Sequence, residues 1–222
     1  MNPMIEKINA TFKRLITLPT FIVLPRYRAT LRDLTIELLV SQRKLPLLAG
    51  ADGLIVPVGT DLKMVFGVAK MARDRGADIV QVEANKVAPL KPGDAFVGTG
   101  AKYRYKYTAL AVIFDESKRT SPAIITQAVT TAVNKLRAAG AKSVVIADMT
   151  ENLLAQPNWI TQEQRRKTAA ITAKIMIDAI VACGTNARTV KIWCSEPDNA
   201  QFFVAELKRL TERERRADAV TA

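Results

Sequence analysis

Three stretches of this chain carry residues whose type and spacing could do chemistry. The first runs from Asp52 through Val56 and Val58 to Gly59-Thr60-Asp61, and on to Phe66-Gly67-Val68-Ala69. An apolar run that closes in small residues lets backbone approach a ligand, and the start of a following helix offers unpaired N–H groups to an anion such as phosphate. The same pattern is also how a strand enters a helix in many α/β domains. The second stretch, Asp148-Met149-Thr150-Glu151-Asn152, sets two carboxylates beside two polar side chains. Such a pair can position a metal-held water for hydrolysis, or simply cap and solvate a loop. The third alternates Lys102, Arg104 and Lys106 with Tyr103, Tyr105 and Tyr107. Period-two alternation predicts cations on one strand face and rings on the other, which suits a nucleic-acid strand or a solvated strand over packed tyrosines.

Much other chemistry is excluded. Histidine is absent, so histidine triads, general bases, metal ligands and pH switches do not arise. Cys183 and Cys194 are too few for an all-cysteine zinc site or a disulfide framework. Both read as core fillers, and a reducing cytoplasm is the expected setting. No P-loop or dinucleotide fingerprint occurs, since Gly98-Thr99-Gly100 lacks its third glycine and a following helix. No catalytic residue and no metal set is assigned, and no cofactor is expected. The 33 basic against 21 acidic residues leave a net charge of +12, which lets the surface attract phosphates, nucleic acid or anionic lipid. The apolar run Leu15 to Leu24 is broken by Thr17, Pro19 and Thr20 and is too short to span a bilayer.

These residues need elements to position them. Runs of β-branched and aliphatic residues predict strands at Leu34 to Val40, Gly53 to Val58, Ala95 to Gly98, Thr108 to Phe114, Ser143 to Ala147 and Thr189 to Cys194. Ser121-Pro122 opens a helix that buries Ile125, Val129, Ala132, Val133 and Leu136 and ends at Gly140. Thr161 and Gln164 have capping-box spacing for a helix ending at Gly184, with Ile171, Ile175, Ala179 and Ile180 inward. Asp198 caps a last helix through Phe203, Leu207 and Leu210 that frays from Thr211. Two shorter helices, Asp61 to Arg75 and Ala77 to Val87, meet at Gly76. Strands alternating with helices require crossovers, so the fold class is α/β: a three-layer α/β/α sandwich on a mixed, largely parallel sheet. Residues 1–30 are read as an N-terminal extension, 31–210 as the domain and 211–222 as a charged tail.

The ordered set resembles the macro domain, the ADP-ribose-binding family. The match rests on Asp52 to Gly59, Gly67 to Ala69, the turn Leu90-Lys91-Pro92-Gly93-Asp94-Ala95, Tyr107 to Phe114, the helix to Gly140, Ser143 to Asp148 and Val190 to Leu210. The resemblance implies a macro-type cleft between two loops, Gly59 to Ala69 and Asp148 to Trp159, holding ADP-ribose or a related NAD-derived nucleotide. It assigns ligand contacts to Asp52, Val56, Val58, Gly59, Gly67, Val68, Thr150, Glu151 and Asn152, with Lys63 and Lys70 flanking. Val56 and Gly59 stand where the family carries asparagines, and Ala69 stands where hydrolase members carry an acidic residue. The implied function is therefore binding with a degenerate catalytic centre, ahead of nucleic-acid binding through the basic surface and of ADP-ribosyl hydrolysis. The cleft reading requires that Met149, Leu153 and the N-terminal arm leave the groove open.

Overall fold

The computed structural model describes residues 25–31, 33–41, 51–99, 105–150, 161–184 and 189–221. Each apolar run named above becomes a strand: β2 (Leu34–Val40), β3 (Gly53–Gly59), β4 (Ala95–Thr99), β5 (Tyr107–Phe114), β6 (Ser143–Ala147) and β7 (Thr189–Cys194), preceded by β1 (Pro25–Leu31). The spatial order is β1-β2-β7-β6-β3-β5-β4. From β2 to β5 the neighbours run parallel, while β1 on β2 and β4 on β5 are antiparallel. Parallel strands need cover on both faces, and the parallel centre of this sheet has it. Ile55, Ile146 and Ile192 point into a core roofed by α3 (Pro122–Ala138), α4 (Gln162–Ala182) and α5 (Pro197–Thr221). Leu54, Val56, Val58, Val145, Ala147 and Trp193 point the other way, into a core that includes residues of α1 (Gly67–Ala72) and α2 (Asp78–Ala84). The architecture is the expected three-layer sandwich.

Local signals explain the helix starts. The Ser121 hydroxyl accepts from the Ile124 N–H with Pro122 in the first turn of α3. Thr161 and Gln164 complete a reciprocal capping box on α4. Between α1 and α2 a π turn, Arg73–Ala77, bends at Gly76, whose φ of 114° is cheap only for glycine.

The structure departs from the sequence reading in five places. Residues 25–30, read as the end of the extension, form most of an edge strand that pairs with β2 across a register shift between Pro25 and Tyr27. Thr211 to Thr221 continues α5, because Glu, Arg and Ala are strong helix formers and no glycine or proline interrupts them. Residues 61–66 are a loop, with helix beginning only at Gly67. The buried stripe of α4 is Ala169, Thr172, Ala173, Met176, Ile177, Ala179 and Ile180, with Ile175 packed partly buried against the core, so Ala179, Ile180 and Ile175 face inward as expected while Ile171 is 52% exposed. Finally, Tyr105 and Tyr107 pack into opposite cores. The chain bends at Tyr105-Lys106 before β5 begins, so the period-two alternation fails there; residues 102–104 lie outside the described residues.

Candidate functional site

Parallel strands put all their following loops at one edge of the sheet, and ligands of open α/β sheets bind there. The neighbours β3 and β6 bring two of these loops together. The loop after β3 is built rigidly. Gly59 ends the strand where its register with β5 shifts, and the Gly59 carbonyl accepts from Leu62 N–H across a turn in which Leu62 has φ 55°. Gln81 of α2 holds the middle of the loop, its Oε1 accepting from Met64 N–H at 2.6 Å and its Nε2 donating to the Leu62 carbonyl at 3.2 Å. The Leu90 N–H donates to the Thr60 carbonyl. Leu62 and Met64 are buried beneath, while Phe66 is 76% exposed on the rim. Gly67 opens α1 with φ 51° and no heavy atom within 4 Å of where a Cβ would sit, so its backbone is accessible from outside.

Across from it, Asp148 Oδ1 accepts from the Thr150 N–H at 2.8 Å and the Thr150 hydroxyl at 2.6 Å, and Oδ2 accepts from Asn199 Nδ2 at 2.8 Å. Asp148 N–H donates to the Trp193 carbonyl at 2.7 Å, tying the loop after β6 to β7. Burial raises the Asp148 pKa against the lowering effect of these donors, and the nearby Glu196 raises it further. Met149 is fully buried in the core under α3 to α5.

The assigned residues divide accordingly. Gly59, Gly67 and Val68 share the first loop, and Thr150 stands at the second with its hydroxyl turned into Asp148 and no surface exposed. Val56 and Val58 are buried in the core under α1 and α2. Asp52 is not brought to the cleft. It precedes β3 and lies at the opposite edge, where its carboxylate accepts from Lys142 N–H, Ser143 N–H and the Ser143 hydroxyl at 2.8 to 3.2 Å. Glu151, Asn152 and Leu153 lie outside the described residues. Lys63 is ion-paired with Asp61 at 3.4 Å, and Lys70 with Asp74 one helical turn on. Sequence reasoning missed Gln81 and Asn199, which reach the loops from distant segments with no local signature.

No family model and no curated protein matches the chain by sequence. Its coordinates do match solved structures. The Oceanobacillus iheyensis macrodomain with ADP superimposes with a TM-score of 0.66 at 12% identity, covering 84% of this chain and 97% of that one. The fold is that of the macrodomains. A Trypanosoma brucei macrodomain in complex with ADP gives a TM-score of 0.62 at 11% identity, covering 78% and 68% of the two chains. The same protein in complex with ADP-ribose gives 0.59 at 10% identity, covering 75% and 67%. No helix among the described residues is long and apolar enough to cross a membrane.

Proposed function

We propose that the cleft between the loops after β3 and β6 binds ADP-ribose or a related NAD-derived nucleotide and does not hydrolyse it. The observation that carries the reading is the loop from Gly59 to Gly67. It is fixed in place by Gln81 and Leu90 and ends in an exposed glycine backbone, so a pyrophosphate can approach N–H groups without a side chain between. Preorganised donors of this kind bind an anion without a further ordering cost. The neighbours solved with ADP and ADP-ribose support the choice of ligand. Binding without turnover is supported by the state of Asp148, whose two oxygens are already committed to Thr150 and Asn199 and so are poorly placed to activate water. Calorimetric titration of the full chain with ADP-ribose tests the reading: saturable heat is expected, and neither heat nor a thermal shift at millimolar ligand would remove it.

A further inference from the structure

The opposite edge of the sheet carries a second feature that the nucleotide cleft does not use. The turn after α3 and the end of α4 enclose an open depression of about 660 Å³ lined by Asn134, Arg137, Gly140, Lys142 and Cys183 among others. The Arg137 guanidinium is anchored by donating to the Cys183 carbonyl and, at 3.4 Å, to Asn134 Oδ1. Its orientation is thereby set. Lys142 is exposed beside it, and its own N–H donates to Asp52 at 2.8 Å. Tyr107 reaches the same place, its hydroxyl 3.9 Å from where a Cβ of Gly140 would stand, and Lys106 sits over the Tyr107 ring at 5.2 Å. Lys106 is also near enough to Asp52 to help lower its pKa. Among the described residues neither Arg137 nor Lys142 has a carboxylate within ion-pair distance, in contrast to Lys63, Lys70, Lys135, Lys167 and Lys174.

Lys106 and Lys142 thus flank Asp52, Arg137 shares the depression with Lys142, and Asp52 Oδ2 is already occupied by backbone and hydroxyl donors. The ends of α3 and α4 add only about half a negative charge each, falling off within a turn. The local field is positive on a chain whose net charge is +12. The depression is open and holds no large apolar side chain, which disfavours insertion into a lipid surface. An open, cationic trough without apolar anchors suits a backbone of repeated phosphates. The geometry points to a phosphodiester-binding surface for single-stranded nucleic acid, formed by Lys106, Arg137 and Lys142 at the edge of the sheet opposite the nucleotide cleft.

The test is fluorescence anisotropy of the full chain with a labelled oligouridylate of about 20 nucleotides. Three phosphate contacts predict that affinity falls about 20-fold between 50 and 200 mM salt. Lys106→Glu with Lys142→Glu should weaken binding by about tenfold or more, with the unfolding midpoint and the ADP-ribose titration unchanged. Should the double variant fold poorly, Lys142→Gln alone should still flatten the salt dependence by roughly one phosphate's worth. Absence of oligonucleotide binding at low salt, affinity unaffected by these substitutions in folded protein, or capture by phosphatidylserine vesicles with indifference to the oligonucleotide would each overturn the assignment. Because the variants lie at the far edge, failure here leaves the nucleotide reading standing, and loss of ADP-ribose binding leaves this one standing.

Discussion

Asp52 and Asp148 are both carboxylates beside a parallel strand of the same mixed sheet, and their surroundings push them in opposite directions. Burial raises the Asp52 pKa, but the donors of Lys142 and Ser143 and the charge of Lys106 outweigh it, so the net shift is downward. Asp52 therefore stabilises the native state above the ordinary carboxylate range, and that contribution is lost as pH falls through its lowered value. Asp52→Ala should cost about 1.5–3 kcal/mol in urea unfolding at neutral pH, with the deficit closing toward acid and no change in ADP-ribose heat. Asp148 is raised by burial, so the native state holds its proton more tightly than the unfolded chain. Its sign is reversed: stability attributable to this group is greatest in acid and is lost as pH rises through the raised value. Asp148→Asn should abolish that part of the pH dependence, read as the difference between the two proteins' unfolding free energies across the acid range. A difference that does not vary with pH would refute the assignment. Chain direction alone separates the two residues, because a residue that precedes a parallel strand lies at the edge away from the ligand. Asp52 could therefore have been excluded from the cleft on sequence grounds, whereas Asn199 as partner of Asp148 could not, being a contact across 51 residues.

At the scale of elements, what was legible followed from local chemistry. The six inner and edge strands read correctly because β-branched runs have nowhere else to bury, and α3 and α4 because serine, proline and the capping box mark their starts. β1 was hidden by its mixed composition, Pro-Arg-Tyr-Arg-Ala-Thr-Leu, which is what an edge strand with one solvated face presents. The loop after β3 reads as helix in the sequence because nothing local announces that Gln81 captures its backbone. Gln81→Ala tests that capture. It should speed hydrogen exchange at Met64 and weaken ADP-ribose binding several-fold, since ordering the loop would then be charged to the ligand. Unchanged exchange at Met64 would show that the loop holds itself.

For the whole molecule, the first and last described elements support each other. α5 packs on β1, with Leu210 and Tyr27 both partly buried against the same core. Tyr27 has its pKa raised by burial, lowered by Arg215 and raised by Glu212, which places the charged end of α5 beside β1. Truncation after Thr211 should therefore lower stability by roughly 1–2 kcal/mol through re-exposed tyrosine and leucine surface, measured by urea titration; an unchanged midpoint would mean the last turns contribute nothing. The sheet also divides the interior into two cores, and of the two tryptophans in the chain Trp193 belongs to the core under α1 and α2, 2% exposed, its indole N–H without a partner among the described residues. An indole in dry surroundings emits toward the blue. With Trp159→Phe removing the other emitter, the colour of the remaining fluorescence follows one layer of the sandwich alone, and a red shift that precedes the loss of far-ultraviolet ellipticity would show that layer parting from the sheet first.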